Sequence, residues 1–305
     1  MHLEVEQNES HHLNNHVNQH KDRPMMILFY NIMAISSLSI AGVASRIALL
    51  RTVMHSSFFP QAITITVNVL GSFMMGFLVH CNGFDSAYPY IYTGLTVGFC
   101  GSFTTFSSWM YSIIHNGYAL IDMGTGLSIP FVAFTIGHDI GQNFSVKKSI
   151  NSLNFDKIMV FIVALAAFLT LVIVGTSKTT VSTHTITDAD VISCALGPIG
   201  ALTRWILCKE LNNKILASPD KQTFRFGTLS SNFIAVIITG ALQKYASGNF
   251  WTVCVITGIC GSLSTVSSWV NDTVSIYEKV SKKWAYFYCS ISVFICVIVI
   301  LMFNI

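Results

Sequence analysis

Gly98-Phe-Cys-Gly-Ser-Phe-Thr-Thr-Phe-Ser-Ser-Trp109 recurs later in the chain as Gly258-Ile-Cys-Gly-Ser-Leu-Ser-Thr-Val-Ser-Ser-Trp269. Eight of the twelve positions are identical, and the four substitutions (Phe/Ile, Phe/Leu, Thr/Ser, Phe/Val) fall in register. Chance does not produce such a match. Two weaker echoes keep the same order. Gly42-x-x-x-Arg46 answers to Gly200-x-x-x-Arg204, and Thr64-x-x-x-Asn68 with Gly76 answers to Thr228-x-x-x-Asn232 with Gly240. The chain therefore carries two copies of one unit.

Both copies lie in apolar surroundings. The chain of 305 residues is 52% hydrophobic and only 10% charged, against about 25% charged in a soluble domain. A helix needs about 20 apolar residues to cross the hydrocarbon core. Nine stretches qualify, near 26–50, 59–80, 88–115, 119–142, 157–175, 190–208, 224–244, 249–276 and 284–304. The expected fold is an all-α membrane protein with two four-helix repeats joined by one connecting helix. The first repeat takes 26–144, the linker with its helix at about 157–175 takes 145–189, and the second repeat takes 190–305. Each repeat has an even number of spans, so the single connecting span inverts the second copy. Inverted repeats commonly place a polar pathway at their shared midplane interface.

Lys and Arg favour cytoplasmic loops. With nine spans, one side collects Lys21, Arg23, Lys147, Lys148, Lys157, Lys209, Lys214, Lys221, Arg225, Lys279, Lys282 and Lys283, and the other only Arg51, Lys178 and Lys244. The N-terminus is thus expected in the cytoplasm and the C-terminus outside. Asn8, Asn143 and Asn271, each in an N-x-[ST] sequon, then fall on or near the cytoplasmic side, where glycosylation is not expected. The polar tail 1–25 holds His2, His11, His12, His16 and His20 and reads as disordered. The eight cysteines form no C-x-x-C pair and read as small apolar filler. A net charge of +3 gives no electrostatic basis for nucleic-acid binding.

Polar groups inside the spans carry the functional signal. An arginine at the bilayer centre costs at least about 2.5–3.5 kcal/mol, yet Arg46 and Arg204 occupy the same place in both copies, as structural anchors or as vestibule charges that attract anions. Asn68 and Asn232 sit one helical turn from Thr64 and Thr228. These residues either bond between helices or line a pore as uncharged donors. In the Gly-Ser-Thr block, glycines permit close helix packing or a local break, and a break would free carbonyls for a hard cation. Phe106 and Trp109 share a face, where they either pack or turn positive ring edges toward an anion. No nucleophile–base set points to an enzyme. His138 and Asp139 come nearest to a catalytic pair and read as interfacial.

These motifs, over about residues 26–304, resemble the fluoride channel family of small bacterial Fluc (CrcB) proteins and eukaryotic fluoride exporters (FEX). Two fused copies joined by a ninth helix look like the eukaryotic members. The resemblance implies a passive plasma-membrane channel that lets fluoride leave the cytosol and confers fluoride resistance. It implies a pore of Asn68, Thr64, Phe106, Ser107, Trp269, Tyr288 and Ser292, with Tyr286 and Ser290 as the alternative register of the last helix. A second pore, with Asn232, Thr228, Val266 and Trp109, looks degenerate, since Val266 stands where the first copy has Phe106. Both tryptophans depart from the family's phenylalanine. A structural Na+ between the units is implied on the carbonyls of Gly101, Thr104, Gly261 and Ser264. Asp272 matches an acidic position of the family, and Ser112 replaces it in the first copy. The implied partners are fluoride and the lipid bilayer, in a monomer whose repeats act as an internal pseudo-dimer. The alternatives are a fused small multidrug-type transporter, which would need a glutamate in the first or sixth span that is not there, and a non-conducting scaffold.

Overall fold

The computed structural model describes residues 24–55, 63–115, 119–177, 180–181, 184–214 and 224–304. The expected disordered tail lies outside the described residues as far as Arg23, as do Lys178 and Lys221.

The described residues are almost wholly helical. Helix α1 is Pro24–His55 and α2 is Ile63–His80. After a short turn at Phe84–Ala87 comes α3, built of Pro89–Thr93, a wide π-helical stretch Gly94–Cys100, and Gly101–Phe103. Helix α4 is Phe106–His115, α5 Ala119–Gly141, α6 Ser152–Ser177 and α7 Asp188–Lys214. Helix α8 is Phe226–Tyr245. Helix α9 repeats the pattern of α3 through Phe250–Cys254, π-helical Val255–Cys260 and Gly261–Leu263. Helices α10, Val266–Lys279, and α11, Lys282–Asn304, complete the chain. Two two-residue strands, Thr180–Val181 and His184–Thr185, pair between α6 and α7.

Among the described residues, seven stretches are long and apolar enough to cross a membrane, namely Pro24–Thr52, Ala119–Gly141, Ser152–Thr176, Asp188–Asn212, Phe226–Tyr245, Phe250–Lys279 and Lys282–Phe303. Thr64–His80 is a shorter apolar helix. The outward faces suit lipid rather than water. On α6, Ile158, Phe161, Phe168 and Ile173 are all more than half exposed, a density of bare apolar surface that a soluble monomer avoids.

Packing follows the repeat. Helices α1 and α7 lie against one another, α1 also packs on α3, and α7 packs on α9. Helix α4 of the first copy packs on α8 and α11 of the second, while α10 of the second packs on α2 and α5 of the first. The buried core runs through this exchange and includes Phe106, Trp109, Val266, Trp269 and Tyr288. A contact made by the first copy on the second is thus returned by the second on the first, as two-fold packing requires.

The connecting helix does more than join the copies. Asp156 of α6 is fully buried and accepts from the backbone N–H groups of Tyr90 at 2.8 Å and Ile91 at 3.0 Å. It caps the start of α3, whose own flanking residue Tyr88 supplies no side-chain cap. In the second copy Asn249 caps α9 from within, accepting from Trp251 N at 2.9 Å.

Candidate functional site

The helix breaks where the repeated block reads Ser-Phe-Thr-Thr and Ser-Leu-Ser-Thr. Thr104 (φ −86°, ψ 155°) and Ser264 (φ −92°, ψ 149°) are extended, so α3 and α9 stop there. The chain resumes at Phe106 and Val266. Thr105 and Thr265 cap the new helices, each accepting from the N–H three residues on, at 3.3 Å in both copies. Wide π turns precede both breaks, as they often do at functional positions.

Asn68 and Asn232 hold the breaks in place. Asn68 Nδ2 donates to the Thr105 carbonyl at 3.2 Å, and Thr105 N donates to Asn68 Oδ1 at 2.9 Å. Asn232 and Thr265 repeat this at 3.1 and 2.8 Å. Each amide nitrogen has two protons, so one N–H of each asparagine is left beside the break after the backbone is served.

Hydroxyls cross between the copies at the same level. Thr104 Oγ1 lies 3.0 Å from Thr265 Oγ1 and 3.1 Å from Ser267 Oγ. Ser107 N donates to Ser264 Oγ at 3.1 Å, and the Ser107 and Ser264 hydroxyls are 3.0 Å apart. Ser107 therefore joins the two halves.

The arginines cross as well. Arg46 Nη1 donates to the Gly261 carbonyl at 2.8 Å and Nη2 to that of Thr257. Arg204 Nη2 donates to the Val97 carbonyl at 2.7 Å, with Nη1 3.5 Å from Ser268 Oγ. Both are 2% exposed, so each guanidinium is enclosed where it meets the other copy's carbonyls. A Cβ on Gly101 would lie 2.0 Å from Arg204 Nη1, and one on Gly261 2.5 Å from Arg46 Nη1. The glycines are seats for the guanidinium groups.

Phe106, the first residue of α4, is fully buried. It follows Thr105, the residue that Asn68 holds, and its ring meets Trp269 edge-on at 5.5 Å and Trp109 at 5.3 Å. Trp109 Nε1 donates to the Asp122 carbonyl at 2.9 Å. Helix α11 packs on α4 and carries Tyr288 and Ser292 on its buried face, while Tyr286 and Ser290 are exposed. Ser292 Oγ donates to the Tyr288 carbonyl at 2.6 Å, and Tyr288 Oη reaches the Arg225 carbonyl at 3.5 Å. The hydroxyl end of Tyr288 thus lies toward the second copy's own helix, where Thr228 donates to Asp272 at 2.6 Å and Arg225 stands 3.7 Å from the same carboxylate. Thr64 is half-buried and Val266 fully buried.

The breaks offer hard, uncharged oxygen donors to a cation. Thr104 and Ser264, extended at the two breaks, are among the residues whose oxygens could serve as ligands. The Gly261 carbonyl already serves Arg46, and only its second lone pair remains. Among the described residues no three His, Cys, Asp or Glu side chains form a metal cluster.

Fold and site together define a multi-pass helical membrane protein with a polar centre built twice. The chain belongs to the family described as CrcB-like protein, Camphor Resistance (CrcB), which it matches over residues 17–138 and again over 191–303. It is 26% identical over 310 residues to "Fluoride export protein 1" of Candida albicans, across 85% of this chain and 75% of that protein. "Fluoride-specific ion channel FluC" of Pseudomonas aeruginosa is 32% identical over 101 residues, 31% of this chain but 75% of its own length. The protein of that name from Paraburkholderia phymatum is 36% identical over 94 residues, 29% of this chain and 70% of its own. No solved structure matches.

Proposed function

We propose that the chain is a passive channel that lets fluoride leave the cytosol. The observation that carries this reading is the doubled match: both halves fall in one family whose curated relatives are named for fluoride. The match lands on a site that suits a small, strongly hydrated anion. Fluoride entering a membrane must replace lost water with other donors. Here the donors are neutral: the second amide proton of Asn68, hydroxyls, and the positive ring edges around Phe106. Neutral donors bind without trapping. The two guanidinium groups are tied to carbonyls, so they raise the local positive potential without clamping the ion.

In this reading nine helices cross the plasma membrane, counting Thr64–His80 and the broken α3–α4 pair with the seven long ones. The repeats, 26–144 and 190–305, are inverted about α6, with the N-terminus cytoplasmic and the C-terminus outside. The chain works as a monomer with an internal pseudo-dimer. The conducting pore uses Asn68, Thr64, Phe106, Ser107, Trp269, Tyr288 and Ser292, and the route past Asn232, Thr228, Val266 and Trp109 is degenerate. A structural sodium ion on the carbonyls of Gly101, Thr104, Gly261 and Ser264 would brace the two breaks, sharing the Gly261 oxygen with Arg46.

The purified protein in fluoride-loaded liposomes is expected to release fluoride when a counter-ion pathway is opened, read with a fluoride electrode. Release no faster than from empty liposomes would reject the channel in favour of a scaffold.

A further inference from the structure

The two tryptophans of the repeat are identical in sequence and differently employed. Trp109 gives its indole N–H to the Asp122 carbonyl. Trp269 is 0% exposed, and its Nε1 has no hydrogen-bond partner. An indole nitrogen is a donor only, and a buried donor left unpaired calls for an explanation. Its ring is enclosed by other rings. Phe106 is 5.5 Å away and Phe131 5.3 Å away, both near edge-on, with Trp109 at 6.0 Å. None of these three rings offers the N–H an acceptor oxygen, and a bound water would need two to four polar partners. An anion needs only donors, and positive ring edges add to its hold.

We propose that the indole N–H of Trp269 donates directly to fluoride as the ion passes Phe106. The first copy's indole is structural, and the second copy's is a ligand that confers specificity. This rests on the fluoride-channel reading. A charge-assisted N–H bond is stronger than a neutral one and favours the smallest halide, where charge is most concentrated.

The test uses the full-length protein in nanodiscs with 15N-labelled tryptophan. The chain has five tryptophans, so five indole signals are expected, and Trp269→Phe removes and assigns one. Fluoride should move that proton signal downfield while chloride at the same concentration does not, and the Trp109 signal should stay in place. In liposomes Trp269→Phe keeps the ring but loses the donor, and fluoride efflux should fall about ten- to hundredfold. Trp251→Phe, at a residue 61% exposed, should leave efflux unchanged. A Trp269 signal indifferent to fluoride, or wild-type efflux in Trp269→Phe, overturns the proposal. If Trp269→Phe does not fold, the signal is assigned by exclusion from Phe variants of the other four, and the wild-type titration decides. If the wild type passes no fluoride, the channel reading fails, while the titration still shows whether Trp269 binds the ion.

Discussion

Asn68 and Asn232 each use both ends of one amide on one threonine, a pairing that needs a donor and an acceptor on the same side chain. Aspartate keeps the acceptor for the threonine N–H but loses the donor and sets a carboxylate against a carbonyl in a buried site. An unpaired buried charge of this kind costs about 3–5 kcal/mol. Since the bonds match within 0.1 Å in the two copies, Asn68→Asp and Asn232→Asp should lower thermal stability in detergent by similar amounts. Unequal loss would mean that the clamp is not the common role. The sequence places these asparagines, because a mid-span amide repeated at one position stands out. It does not reveal Asp156. That carboxylate serves backbone groups about 65 positions away, and no local pattern marks a cap supplied from another helix, although such a cap contributes about 1 kcal/mol. Nor could spacing tell Trp269 from Trp109, since the difference lies in what the opposite wall presents.

Among elements, the break between α3 and α4 was legible from its glycines and hydroxyls, and the wide turns before it were not. A π turn has no composition of its own. It allows the opposite arginine to reach the carbonyls of Val97 and Thr257, so the arginine and glycine signals, read separately in the sequence, are one feature. Close helix approach differs between copies. A Cβ on Gly137 would lie 2.1 Å from the Phe73 carbonyl oxygen, and one on Gly76 2.1 Å from that of Phe134. Backbone cannot yield there without α2 and α5 moving apart. Gly240 answers to Gly76, but the atoms nearest its Cβ would be those of the Phe303 ring, at 2.4 Å, and a side chain yields more readily than backbone. Gly137→Ala should therefore abolish folded protein or cost several kcal/mol, as overpacking does at about 1–3 kcal/mol even where side chains yield. Gly240→Ala should remain folded, measured by yield of monodisperse protein and by melting temperature.

The whole molecule is two copies that return each other's contacts through arginines, hydroxyls and aromatic rings, yet they are no longer equivalent. Asn68 leads through Thr105 to Phe106, whose ring faces Trp269 and whose helix receives the buried face of α11. Asn232 leads through Thr265 to Val266, which offers no ring edge to an ion. Fully buried Val266 still fills the core, so the position serves packing without an aromatic. Two working pores would make these positions interchangeable, and one pore makes them unequal. Phe106→Ile removes the ring edges while keeping most of the apolar volume, and fluoride efflux from liposomes should fall to background. Val266→Ala costs about 1–3 kcal/mol of stability by opening a small cavity but should leave efflux per folded protein near wild type. Comparable loss from both substitutions, at matched folded fraction, would mean that both routes conduct and that the asymmetry belongs to packing alone.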